Sequence, residues 1–304
     1  MKKLIVYQVD AFTTEKLKGN PAGVVINADG LGEREMQMIA RELNNSETAF
    51  IFSSNDTSYD GIIRYFTPTK EVPICGHATI GAMYALAQEK NLDSCVLRMK
   101  TEVGILPFEV IKEKDDYHIV MTQGQFSLSK SLSKEVVNDI YKAIGISVDE
   151  ADLNCPVQIA STGHSKVMIG IKSRSKLNNL KPDLGELSRL SSKINCNGYF
   201  VFTFDSDTPD VLVYGRMFAP AIGINEDPVT GNANGPLGGY LVKNGIVNTK
   251  GDSYSFKARQ GETINRLGSM EVNVGLKNGE PDVIRIKGNA VVAFKTEILY
   301  TSRH

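Results

Sequence analysis

A pattern that occurs twice constrains this chain more than any single residue does. Arg64-Tyr65-Phe66-Thr67-Pro68 is answered by Arg216-Met217-Phe218-Ala219-Pro220, an R-x-F-x-P run displaced by 152 residues. Pro73-Ile74-Cys75-Gly76-His77-Ala78 is answered by Pro228-Val229-Thr230-Gly231-Asn232-Ala233, displaced by 155, with Leu86 and Leu241 closing the two stretches. Gln8-Val9 against Gln158-Ile159 is a weaker match at 150. Three ordered matches near one offset, in a chain of 304 residues, predict a duplication: two domains of one fold facing each other across a cleft. The offset grows because the second half carries an insertion between Pro220 and Pro228, and that insertion holds Glu226 and Asp227.

The bulk numbers agree with two soluble cores, 41% of residues being hydrophobic and 23% charged. Thirty-four basic residues against 35 acidic ones, with no long basic run, leave no footprint for a nucleic acid partner. Cys75, Cys95, Cys155 and Cys196 form no CxxC pair, so they are expected as reduced thiols of a cytoplasmic protein, with neither a disulfide frame nor a metal site. Leu4-Ile5-Val6-Tyr7 is too short for a signal-peptide core or a membrane span, and residues 4–9 are expected to be a first strand.

Residues 31–43 place Met36, Ile39, Ala40 and Leu43 at helical spacing. The run Ser46–Phe52 is β-rich, and period two puts Glu47 on the face of Ala49 and Ile51, where a carboxylate is partly desolvated. Residues 76–88 and 231–243 are uncharged or nearly so, small and apolar, as expected of a helix packed on all sides inside a curved sheet or barrel. Pro236 means that the second of these helices either starts later than Gly231 or kinks. Short strand-like runs at Cys95–Met99, Ile105–Ile111, His118–Met121, Lys166–Ile171, Tyr199–Phe204 and Val283–Ile286 complete an α+β reading with one buried helix per domain. The first domain is expected over 1–125, joined by a terminal strand at 291–304, and the second over 126–290.

A helix that begins Gly76-His77 offers free amides at its positive end, and Gly231-Asn232 does the same in the other half; such a pair suits a carboxylate. Glycine alone at either place would equally serve packing. His77, one of four histidines with His118, His164 and His304, starts a helix, where the dipole favours neutral imidazole. Glu47 is the acid/base candidate, because a desolvated carboxyl both takes and returns a proton near neutrality. Asp227 precedes the second helix and either borders the same cleft or caps that helix. Gly19-Asn20-Pro21-Ala22-Gly23 is expected as a tight turn from which Asn20 could present its amide to a ligand. A Cys75–His77 nucleophile pair is disfavoured, since positions two apart at a helix start are expected to point in different directions.

Taken together, Gly19-Asn20-Pro21-Ala22-Gly23-Val24, Ser46-Glu47-Thr48-Ala49-Phe50, Cys75-Gly76-His77-Ala78-Thr79 and Glu226-Asp227-Pro228-Val229-Thr230-Gly231 closely resemble the phenazine biosynthesis PhzF-like isomerase family, along essentially the whole chain. The resemblance implies the diaminopimelate-epimerase-like fold of two pseudo-symmetric domains and a homodimer. It further implies that Glu47 shuttles a proton within an allylic amino or hydroxy acid such as trans-2,3-dihydro-3-hydroxyanthranilate, with neither metal nor organic cofactor. His77 and Asp227 would assist, and Gly76 and Gly231 would hold the carboxylate. Asn232 departs from the family's usual serine, which opens the question of substrate. Related epimerases carry Cys-Gly at both helix starts, whereas here the second is Thr230-Gly231, against a two-thiol stereoinversion.

The expected function is therefore proton transfer within a small unsaturated carboxylic acid, giving a double-bond isomer. The rivals are a racemase or epimerase with Glu47 and Cys75 as bases on opposite faces, and a metabolite-binding protein that has lost turnover. No membrane partner is expected.

Overall fold

The structure is a computed structural model that describes residues 2–300; His304 and the 301–304 end of the expected terminal strand lie outside the described residues. Residue contacts divide the chain into two units, one made of the residues up to Met121 with those from Lys287 onward, the other of Thr122–Ile286.

In the first unit the strands are β1 (Lys2–Ala11), β2 (Asn20–Val25), β3 (Thr48–Phe52), β4 (Gly61–Phe66), β5 (Glu71–Val72), β6 (Cys95–Thr101), β7 (Gly104–Glu113) and β8 (Asp116–Thr122). The chain's last strand, Ala290–Tyr300, pairs antiparallel with β1. From β1 onward the pairings run antiparallel to β2, parallel to β3, antiparallel to β4, parallel to β6 and antiparallel to β7. Helix α1 (Glu33–Leu43) buries Met36, Ile39 and Ala40 in a core with Leu4, Val6, Val25, Phe50 and Phe66. Its start is closed by Glu35, which accepts the Gly32 amide at 2.8 Å, and it ends at Asn44 in the left-handed region (φ 51°). Helix α2 (Gly76–Lys90) is buried from His77 through Ala87 and packs on β1, β2, β3 and β7. With helices on both faces, β3 buries residues of both parities, which is why Ala49, Phe50 and Ile51 are consecutive apolar positions.

The second unit contains β9 (Ser127–Leu128), β10 (Gln158–Ser161), β11 (Lys166–Gly170), β12 (Tyr199–Thr203), β13 (Val211–Ala219), β14 (Ile224–Asp227), β15 (Ser253–Gln260), β16 (Gly268–Lys277) and β17 (Glu280–Gly288). From β10 its pairings run antiparallel to β11, parallel to β12, antiparallel to β13, parallel to β15 and antiparallel to β16, the order found in the first unit. Helices α3 (Lys134–Ile144), α4 (Arg174–Asn179) and α5 (Leu184–Ile194) contribute Ile140, Leu177, Leu187 and Leu190 to a core with Val167, Ile169, Val201 and Phe218. Helix α6 (Gly231–Lys243) is buried almost throughout.

The repeated R-x-F motif has one structure in both units. Arg64 lies over the Phe66 ring at 5.3 Å and forms a two-pronged pair with Glu71; Arg216 lies over Phe218 at 5.0 Å and pairs in the same way with Glu226.

Two local expectations change. The stretch Gly19–Gly23 is not a tight turn: only Gly19 (φ 59°) turns, and Asn20 already opens β2. Proline is tolerated there for a reason of register. The Gly23 amide donates to the carbonyl of Glu47, just before β3, at 3.2 Å, so the nitrogen of Pro21 faces the same side, below the point where β3 pairing begins at Gly23–Thr48. Helix α6 does start at Gly231, and its irregular residue is Asn232 (φ −82°, ψ 17°), four positions before Pro236. A proline ring presses on the carbonyl of residue i−4 and leaves it without a donor, and Asn232 is that residue.

Candidate active site

Cys75 is the N-cap of α2 and is extended (φ −141°, ψ 122°). Its carbonyl accepts both the Thr79 amide at 3.0 Å and the Thr79 hydroxyl at 2.7 Å, and that hydroxyl is held by Tyr65 of β4 at 2.6 Å in a buried contact. The helix start is thus pinned to the sheet, with the amides of Gly76, His77 and Ala78 ahead of the first helical bond. A Cβ added at Gly76 would meet nothing within 4 Å, so the chain's own packing does not require glycine there.

Glu47 immediately precedes β3, and its Oε2 stands 3.5 Å from Nε2 of His77, with side chains 18% and 9% exposed. Ser46 Oγ is 3.2 Å from the same nitrogen. The other ring nitrogen, Nδ1, lies 3.4 Å from Cys75 Sγ. This corrects the expectation that Cys75 and His77 diverge. An N-cap side chain folds back over the second and third helical residues, and His77 is the second. A thiol donating to Nδ1 leaves the imidazole proton on Nε2, aimed at Glu47 and Ser46.

The ligand atoms of Glu47, Cys75 and His77 all lie within 4.8 Å of one another. Carboxylate, thiolate and imidazole are the donor types of zinc sites, and these three would be one ligand short of a closed tetrahedron. Sequence spacing hid this set, because Glu47 is far from Cys75 in the chain.

In the second unit Asp227 ends β14, and the N-cap of α6 is Thr230, not Asp227. The Thr230 hydroxyl donates to Asp227 Oδ2. Gln260 of β15 binds three groups at once: its Nε2 donates to the Asp227 carbonyl at 2.7 Å and to Thr230 Oγ1 at 3.0 Å, while its Oε1 accepts the Thr230 amide at 3.2 Å. Asn234 Nδ2 closes the network on Thr230 O at 3.0 Å and Gln260 Oε1 at 3.2 Å. Gln123 Nε2 donates to the Gly231 carbonyl at 2.9 Å, a contact that requires glycine at 235, where a Cβ would fall 1.8 Å from Gln123 Oε1. Asn232 follows at the irregular turn.

The structure therefore brings Glu47, Gly76 and His77 together in the first unit, where Asn20 is buried at the head of β2, and Asp227, Gly231 and Asn232 in the second. Three neighbours were not read from the sequence. Ser46 and Thr230 were visible inside the quoted motifs, Thr230 as the repeat partner of Cys75. Gln260 carries no sequence signal, since only strand pairing of β15 with β13 brings it there.

The family described as phenazine biosynthesis-like protein (PhzC-PhzF) matches residues 9–296. The chain belongs to the PhzF family. An isomerase of Clostridium acetobutylicum without an assigned substrate is 56% identical over 299 residues, covering 98% of this chain and 99% of that protein. The trans-2,3-dihydro-3-hydroxyanthranilate isomerase of Pseudomonas chlororaphis is 31% identical over 284 residues, covering 93% and 95%. The crystal structure of the Bacillus anthracis PhzF-family phenazine biosynthesis protein superposes with a TM-score of 0.89 at 32% identity, covering 99% of this chain and all of that one. The PhzF-family chain is an isomerase. Its fold is α+β and diaminopimelate-epimerase-like, with a mixed sheet and one buried central helix in each repeated unit. Among the described residues no helix is long and apolar enough to cross a membrane.

Proposed function

We propose that this PhzF-family isomerase moves a proton within a small unsaturated amino or hydroxy carboxylic acid without a cofactor, and that Glu47 is the acid/base that carries it. The observation that carries this reading is the approach of Glu47 to His77 at 3.5 Å beside the helix start at Gly76. Glu47 as carboxylate removes a proton from carbon. The C–H electron pair enters the conjugated system and the double bond moves one position. The protonated carboxyl then returns the proton to the far carbon. Nε2–H of His77 steadies the carboxylate between the two transfers, and the Gly76 amide takes negative charge on the substrate. Asp227, Gly231 and Asn232 are the second unit's candidate substrate contacts, and Asp227 is held there by Thr230 and Gln260. The name of the P. chlororaphis relative supports the substrate class.

The geometry weighs against the epimerase rival. Two bases on opposite faces of one carbon, each about 3–3.5 Å from it, stand roughly 6–7 Å apart. Cys75 Sγ and a Glu47 oxygen lie within 4.8 Å of each other, closer than that separation.

The test is solvent exchange followed by NMR in heavy water, with dihydrohydroxyanthranilate and a panel of small amino and hydroxy acids. Deuterium entering one substrate with the natural protein and not with Glu47→Gln is the expected result. Binding without exchange in any acid would leave a metabolite-binding protein in its place.

A further inference from the structure

The duplicated architecture gives the paired strands of one unit counterparts in the other, and the counterpart of Glu47 can be read from strand register. Phe66 and Phe218 are matched by the repeat; Phe66 pairs with Thr48 and Phe218 with Tyr199. Thr48 therefore corresponds to Tyr199 and Glu47 to Gly198. The parallel neighbour agrees. In the first unit Gly23, just after Ala22, donates its amide to the Glu47 carbonyl at 3.2 Å; in the second Val167, just after Lys166, donates to the Gly198 carbonyl at 2.8 Å. Ala22 thus corresponds to Lys166.

The two pairs have exchanged size and charge. Where the first unit has a small residue on one strand and a carboxylate on the next, the second has a lysine on the first strand and no side chain on the next. The lysine fills the vacated volume: a Cβ on Gly198 would fall 2.2 Å from Lys166 Cδ and 2.8 Å from its Cε. The ammonium is buried, the residue being 7% exposed, and its hydrogen bonds go to two backbone carbonyls, Ser165 at 3.2 Å and His164 at 3.5 Å. No carboxylate lies within 4.0 Å of it among the described residues, although it feels the charge of Asp227 and the Cys196 thiol. Burial pulls its pKa down, against the opposing pull of those two groups. A buried ammonium whose hydrogen bonds go to neutral carbonyls, with no carboxylate at ion-pair distance among the described residues, is one that a bound anion would stabilise.

We propose that Lys166 is an anion-binding residue of the second unit, whose ammonium takes the carboxylate of a small organic acid. The Lys166 side chain fills the space beside Gly198, which is the register counterpart of Glu47. The proposal rests on the functional reading above only for the class of ligand.

The probes are 2-aminobenzoate and its neutral analogue 2-aminobenzamide, titrated calorimetrically into the full-length protein. The natural protein is expected to prefer the carboxylate. Lys166→Met is expected to lose roughly 10- to 100-fold in carboxylate affinity, as for hydrogen bonds to charged groups, and to bind the amide as before. Gly198→Ala, which keeps the charge but evicts the side chain, is expected to lose the same preference. Should Lys166→Met not fold, the Gly198→Ala titration and the Lys166 Cε resonance of isotopically labelled natural protein give the answer: that resonance should shift with the acid and not with the amide. Equal affinity of Lys166→Met and natural protein for the acid, or no preference of the natural protein, overturns the assignment. Deuterium exchange dependent on Glu47 is a separate readout, so the isomerase reading and the Lys166 assignment can each fail alone.

Discussion

Nε2 of His77 faces the carboxylate of Glu47 across 3.5 Å, while Nδ1 of the same ring faces Cys75 Sγ across 3.4 Å. The imidazole thus joins a carboxyl and a thiol that arise from different elements, and removing it should disconnect them. His77→Asn is expected to lower the rate of substrate deuterium exchange roughly 10²- to 10⁴-fold, the range for a positioned acid/base partner. Cys75→Ala, which leaves the Glu47–His77 contact standing, is expected to cost at most about 10-fold (about 1.4 kcal/mol). Equal losses in the two variants would show that the thiol takes part directly.

Pro236 distorts α6 at Asn232, one of the residues proposed to meet substrate. An interior proline costs a helix about 3 kcal/mol. Pro236→Ala returns a donor to the Asn232 carbonyl and is expected to hold or raise the thermal midpoint while lowering kcat/KM. Calorimetry and exchange rates on the same preparation decide it: a variant that loses both stability and activity would place Pro236 among packing residues only.

Arg174 grips Glu262 with Nε at 3.0 Å and Nη2 at 2.7 Å, helped by Asn178, and these contacts hold the Glu262 pKa below its ordinary value. The folded state therefore binds that proton more weakly than the unfolded chain, whose glutamates titrate near about 4.3. The resulting stability is fully present above that pH and is lost as pH falls through the lower folded pKa. Glu262→Gln should be less stable at neutrality by about 1 kcal/mol, since the pair is partly exposed and screened. The gap between the two proteins should close in melting curves taken from pH 6 down to pH 3. A gap independent of pH would mean that the amide replaces the charge fully.

Cys155 is buried, and desolvation pushes its thiol up to about 12. The nucleophile is the thiolate, so Cys155 is expected to stay unmodified by iodoacetamide at pH 8 in the folded protein and to react on unfolding. Mass spectrometry of the digested protein gives the site occupancy. Modification of Cys155 ahead of the partly exposed Cys95 would mean that the second unit opens locally.

Much of this arrangement was visible in the sequence because it repeats. The Arg-x-Phe spacing puts guanidinium and ring on one face of a strand twice, and the helices after Cys75 and Thr230 carry too little polar surface to be anything but buried. Contacts made by register were hidden. Nothing in Gly198 announces a volume filled by Lys166, and Gln260 reaches Thr230 only because β15 lies parallel to β13. The Cys75–His77 contact was misjudged for a smaller reason. Helical geometry was assumed one residue too early, whereas a cap residue is extended and turns its side chain back along the helix.

The strand Ala290–Tyr300 hydrogen-bonds along nearly the whole of β1, so segments far apart in the sequence are neighbours in one sheet. On the ribosome this separates the two halves in time. Residues 122–286 emerge complete and have a core of their own, while β1 waits with one edge unpaired until Ala290–Tyr300 has been made. At about 5–20 residues per second, that wait lasts roughly 15–60 seconds. The first unit, begun before the second, is therefore the last to close, and a chain stalled before Ala290 would carry an open strand edge and depend on chaperones to stay out of aggregates.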